Sequence, residues 1–93
     1  MTVLLKADPN PDFPAGEWPG QVRVKARLVE VAGYAEASEV CRRFIDEHDL
    51  GGGNWTGGAI TDDAGQQVAY VSYNGRVWEG KAAEWTSETR RLY

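Results

Sequence analysis

The sequence predicts a two-layer α+β domain, with one amphipathic helix packed on an antiparallel sheet of four to five strands. The expected order is strand, strand, helix, meander. Three observations carry the prediction. Residues 21–31 alternate apolar with polar, residues 34–50 repeat apolar side chains three and four apart, and short strand-like runs follow Gly51 with turn residues between them. A single apolar stripe on a helix must be buried, and an antiparallel sheet with one apolar face is the available partner.

Val3, Leu4 and Leu5 make residues 1–7 a brief strand. Residues 8–20 hold all four prolines, Pro9, Pro11, Pro14 and Pro19. Proline lacks the N–H that a ladder or helix interior needs, so this stretch is a loop, with Phe13 and Trp18 as its anchors. In residues 21–31, Val22, Val24, Ala26 and Leu28 alternate with Arg23, Lys25, Arg27 and Val29. Successive strand side chains point to opposite faces, so the first set is expected in the core and the second, with its three cations, outside. Tyr34, Ala37, Val40, Cys41, Phe44 and Ile45 form the stripe of the helix. Glu36 and Glu39 favour its N-terminal dipole, Glu39–Arg43 and Arg42–Asp46 are i,i+4 pairs, and Gly51 is the expected stop. Residues 55–62 and 67–73 read as strands joined through Asp63-Ala64-Gly65. Asn74-Gly75 reads as a two-residue hairpin into residues 76–79. The tail, residues 81–93, has no clear periodicity; Trp85 and Leu92 are its expected anchors, with Arg90 and Arg91 in water.

Ninety-three residues suit one domain, residues 1–93. Fourteen acids against ten bases give a net charge of −4, which weighs against a dominant nucleic-acid binder. The longest apolar run, Val68-Ala69-Tyr70-Val71, is far from the roughly 20 residues of a membrane helix. Lys6 interrupts the first apolar stretch before a signal-peptide core can form. The expectation is a soluble, cytoplasmic protein without membrane contact. One cysteine excludes an internal disulfide and a cysteine metal cluster. No cofactor or metal is expected.

Cys41 and His48, the sole thiol and imidazole, lie seven residues apart on the helix. That is roughly 10.5 Å along the axis, too far for a nucleophile–base pair. Cys41 falls on the apolar stripe and reads as a packed thiol. Asp46-Glu47-His48-Asp49 is rich in ligand atoms, but consecutive helical residues do not converge on one ion. Asp62-Asp63 resembles a carboxylate pair; adjacent residues splay apart, and aspartate before glycine has its own use in turns. The stretch from Gly51 to Gly58 contains five glycines among eight residues. A phosphate-cradling loop runs strand, glycines, helix and carries a lysine. Here the order is helix, glycines, strand, with no lysine. Two readings stay open for Trp55 in this stretch. Either it is a surface anchor on a mobile lip, or its ring folds over the bare glycine backbone.

The helix of residues 34–50, the glycine lip to Gly58 and the hairpin through Tyr73 together resemble, in layout, small accessory proteins of phages and plasmids, anti-CRISPR proteins among them. The resemblance implies action by binding a larger host complex, as an accessory protein or inhibitor. It carries over no site residue.

Three functions compete. The first is a non-catalytic protein-binding module using Trp55, Tyr73 and Trp78, with Asp46, Glu47 and Asp49 as an acidic patch able to compete for a basic groove. Solubility is the simpler account of those acids. The second is single-stranded nucleic-acid binding, in which Arg23, Lys25 and Arg27 supply charge and Tyr70, Tyr73 or Trp78 stack on bases. The simpler account is a solvated face paired with Glu30, Glu79 or Glu84. The third is a small enzyme assembled from Asp62, Asp63, His48 or Tyr70 in a way that sequence does not reveal.

Overall fold

The computed structural model describes residues 1–8 and 25–93. The proline-rich stretch with Phe13 and Trp18, and the strand positions Val22, Arg23 and Val24, lie outside them. The elements are β1 (Thr2–Leu5), β2 (Arg27–Glu30), α1 (Tyr34–Glu47), β3 (Ala59–Thr61), β4 (Gln67–Val71), β5 (Val77–Glu79) and a 3₁₀ turn at Ala82–Glu84. The strands form one sheet in the order β2-β1-β3-β4-β5, every pair antiparallel. One helix on a five-stranded antiparallel sheet is the α+β fold expected from the sequence. α1 lies over β1 and β4. Ala37, Cys41, Phe44 and Ile45 of its stripe share a core with Val3, Leu5, Ile60, Ala69, Val71 and Val77.

The phase of β2 is the reverse of the expected one. Val3, wholly buried, stands opposite Val29, and directly opposed residues share a face of the sheet. Val29 and Val31 therefore turn toward α1, while Leu28 points away and is 66% exposed. Ala26 is exposed as well. The alternation in residues 22–28 is real, but period 2 alone does not say which set faces the helix. The register with β1 decides, and a one-residue change of phase moves every side chain to the other face.

The helix ends earlier than Gly51 and by different chemistry. His48 is the last cap, and Asp49 takes the left-handed conformation at φ 51°. The Leu50 N–H bonds the Ile45 carbonyl at 3.0 Å, and the Asp49 N–H bonds the Asp46 carbonyl at 3.3 Å. These two bonds are a Schellman closure, and buried Leu50 joins Phe44 and Ile45 in the core. Along the helix, Arg43–Glu39 at 2.8 Å and Arg42–Asp46 at 3.5 Å form as expected.

Both hairpins in the meander have the same design. The Gly65 N–H bonds the Asp62 carbonyl at 3.1 Å and the Asp62 N–H bonds the Gln66 carbonyl at 2.9 Å. Gly75 and Ser72, with Arg76, repeat the pattern at 2.9 Å for each bond. Gly65 and Gly75 adopt positive φ, and Asn74 does not. Each loop is thus a three-residue type I turn closed by a left-handed glycine, rather than the two-residue turn that Asn74-Gly75 suggests. The tail pairs with β5. The Glu79 N–H reaches the Arg90 carbonyl at 2.9 Å, and the Leu92 N–H reaches the Val77 carbonyl at 2.7 Å. Leu92 packs on the core, and Arg90 and Arg91 are exposed.

A non-glycine residue held left-handed costs roughly 1–2 kcal/mol, and glycine gives back about 0.4–1 kcal/mol through its freer unfolded chain. Asp49→Gly is therefore expected to stabilise the protein by about 0.5–1 kcal/mol in urea unfolding. A lower midpoint would mean that the Asp49 side chain contributes more than its backbone costs.

Candidate functional site

The sheet has two faces, and α1 covers one of them. On the other, the register aligns apolar side chains across all five strands. Leu28 stands opposite Leu4, Ala59 opposite Tyr70, and Tyr70 opposite Trp78. Leu4 on β1 neighbours Ala59 on β3, completing the row. Trp85, from the turn after β5, sets its ring edge-on to Trp78 at 5.8 Å and 88°. Trp85 remains 49% exposed. Burial raises the pKa of the Tyr70 phenol above its ordinary value. An apolar row ending in two tryptophans can cover the apolar surface of a protein partner.

The glycine-rich stretch is tied into the fold at several points. Buried Asn54 accepts the Gly51 N–H at 3.0 Å and donates to the Asp8 carbonyl at 3.1 Å. Its own carbonyl accepts the Asp8 N–H at 2.9 Å. Trp55 is half-buried; its Nε1 donates to the Val71 carbonyl at 3.0 Å, and its ring lies 6.0 Å from that of Phe44. A Cβ placed on Gly57 would lie 3.1 Å from the Trp55 ring and 2.6 Å from the β1 backbone. Gly57 is glycine because ring and strand approach it closely. Of the two readings for Trp55, the ring packed over glycine backbone describes its surroundings.

The other residues singled out by sequence do not gather into one surface. The Arg42 guanidinium lies over the Tyr73 ring at 5.4 Å, bonds the Tyr73 carbonyl and pairs with Asp46. The Tyr73 hydroxyl donates to the Leu50 carbonyl at 3.1 Å. Tyr73 and Asp46 thus meet through Arg42 at the end of the helix. Trp78 lies on the opposite face of the sheet from Trp55. Glu47 lines a cleft between α1 and β2, and Asp49 is exposed at the helix cap. Arg27 lines that same cleft on the helix side, whereas Tyr70 points to the open face. β1 and β3 separate their strands. Arg27 and Tyr70 therefore share no face, and the phase of β2 is the reason. Lys25 is exposed before β2, and Arg23 lies outside the described residues.

The candidate catalytic groups have structural surroundings. Cys41 is wholly buried, and desolvation pushes its pKa up to about 12. His48 meets the Phe44 ring edge-on at 4.6 Å. An oxygen of Asp62 accepts the Ala64 and Gln66 N–H groups at 2.9 and 3.0 Å, closing the turn. Asp63 is exposed. Among the described residues, no three potential metal ligands gather, and no helix is long and apolar enough to cross a membrane.

Sequence reasoning missed Leu4, Leu28, Ala59 and Trp85. The signal was Val68-Ala69-Tyr70-Val71: an unbroken apolar run in a strand requires both faces to be apolar, whereas a one-sided sheet alternates. Fold and site together define a two-layer α+β domain with an apolar sheet face that no helix among the described residues covers. Comparison with protein-family models, curated proteins and solved structures returns no match.

Trp55→Ala should lower unfolding stability by about 3 kcal/mol, since it removes a packed ring and its hydrogen bond. A mutant melting within a degree or two of wild type would return Trp55 to the surface. Cys41 should resist a thiol reagent at pH 8 in the native protein and react fully in denaturant; native labelling at a free-thiol rate would mean that the core opens around it.

Proposed function

We propose that this protein is a non-catalytic protein-binding module that docks on a larger partner through its open sheet face. The observation that carries the reading is the apolar row from Leu28 to Trp78, extended by Trp85. Aromatic anchors with an apolar surround dominate binding energy in protein interfaces. Cys41, His48 and Asp62 have structural surroundings that account for them without a reaction. The likeness in layout to small phage and plasmid accessory proteins supports the same reading, with an inhibitor or accessory subunit as its specific form. Docking through this row is hydrophobic, so added salt should weaken it little. Competition for a basic groove by Asp46, Glu47 and Asp49 would instead be steeply salt-dependent.

Leu28→Ser with Trp85→Ser removes two exposed side chains and should leave the melting temperature within a few degrees of wild type. Affinity capture from nuclease-treated host lysate should recover a partner with wild type. That partner should be lost, by at least about tenfold, with the double variant. Equal recovery by both proteins, or loss of the partner on nuclease treatment, would overturn docking through this face.

A further inference from the structure

We propose that the outer edge of β2, with the cleft beside it, binds an extended peptide as an added strand. The preferred peptide has an apolar side chain and an acidic one two residues apart. This surface lies on the helix side of the sheet and is separate from the open face described above.

The edge has the required backbone. The Val31 N–H bonds the Met1 carbonyl at 2.9 Å, which fixes the phase of the β1–β2 ladder. In an antiparallel pair, alternate residues turn their N–H and C=O groups to the partner strand. Positions 27, 29 and 31 face β1, so Leu28 and Glu30 present theirs outward. β2 is terminal in the sheet, and no strand among the described residues pairs with that side. The opposite edge is different, because Arg90, Leu92 and Tyr93 cover β5. An open row of donors and acceptors is a template for strand addition.

The cleft supplies side-chain recognition. It has a volume of about 290 Å³ between α1 and β2, with Leu5, Val29, Val40 and Phe44 as its floor. That is slightly below the range for drug-sized ligands and suits one or two peptide side chains. Arg27, Arg43 and Glu47 form its rim. Arg43 is held by Glu39, whereas neither Arg27 nor Lys25 has an ion-pair partner among the described residues. Arg27 lies on the helix-facing side of the strand, and Lys25 is exposed just before it. A peptide paired with β2 places its residues i and i+2 on that same face. An apolar side chain then enters the cleft, and an acid two residues away meets Arg27 or Lys25. Arg27 and Lys25, cations with no ion-pair partner among the described residues, therefore favour an acid at that position of the peptide, although Glu47 stands on the cleft rim and the whole chain is acidic.

The probe is a labelled octapeptide alternating threonine with glutamate and valine, and its control carries lysine in place of glutamate. Fluorescence anisotropy on the full chain should show the acidic peptide binding at least about tenfold more tightly. Binding should protect the Leu28 and Glu30 amides from hydrogen exchange. Glu30→Pro removes an outward N–H at an edge position that tolerates proline, and should abolish binding. Arg27→Glu with Lys25→Glu should reverse the preference toward the lysine peptide, which keeps the test decisive if the proline variant unfolds. Trp85→Ser alone, beyond β5 at the far end of the sheet, should leave peptide binding unchanged while weakening open-face docking, so failure here is distinguishable from failure of the open-face reading. No acidic preference would overturn the proposal. So would amides at 28 and 30 already protected in the free protein.

Discussion

Burial of the α1 stripe against the Val3, Ile60 and Ala69 row is the constraint on which the rest of the structure depends. Ala37 and Cys41 lie on the stripe with no exposed surface, and small side chains there let helix and sheet come close. Once those rows are buried, the period of two along each strand fixes every other orientation. Val29 and Val31 turn inward because Val3 does. Leu4, Leu28, Tyr70 and Trp78 turn outward for the same reason. The apolar open face is thus a direct consequence of which face the helix takes, in a sheet whose central strands are apolar on both sides.

The connections hold that arrangement by local hydrogen bonding. Asp62 closes one hairpin with its side chain, and Ser38 donates to the Gly75 carbonyl at 2.6 Å, seating the other hairpin against α1. Asn54 joins the glycine-rich stretch to the end of β1, satisfying a wholly buried amide at both its oxygen and its nitrogen. An unpaired amide at that depth would cost about 1–3 kcal/mol. Among the described residues no buried side-chain polar atom lacks a partner, so polar burial adds specificity here at little cost. The stretch reads as loose in sequence and is anchored in the fold, since glycine serves close backbone approach as well as freedom.

The two proposed surfaces have different physics because they use different groups of the same edge strand. The open face offers the Leu28 side chain and the aromatic pair beyond it, which recognise apolar area. The edge offers the backbone of Leu28 and its neighbours, which recognises extended chain, while Arg27 selects charge. A strand at the edge of a sheet exposes both at once.

The sequence by itself determined the α+β class, the helix and its i,i+4 pairs, the strands of the meander and the placing of the turns. Each follows from short-range periodicity or from the backbone preferences of particular residues. Hairpin type was only half legible: Asn74-Gly75 marks a turn, but Asn74 keeps an ordinary φ and Gly75 alone is left-handed. The helix stop fell on Asp49, ahead of the glycines, because the Leu50 side chain is drawn into the core. Tertiary structure alone decided which face of β2 meets the helix, and with it the separation of Arg27 from Tyr70. It also decided the half-burial of Trp55 and the alignment of Leu28, Leu4, Ala59, Tyr70 and Trp78 into one row. Those are relations between strands distant in sequence, fixed by register, and a period of two fits either face equally well until a partner strand chooses.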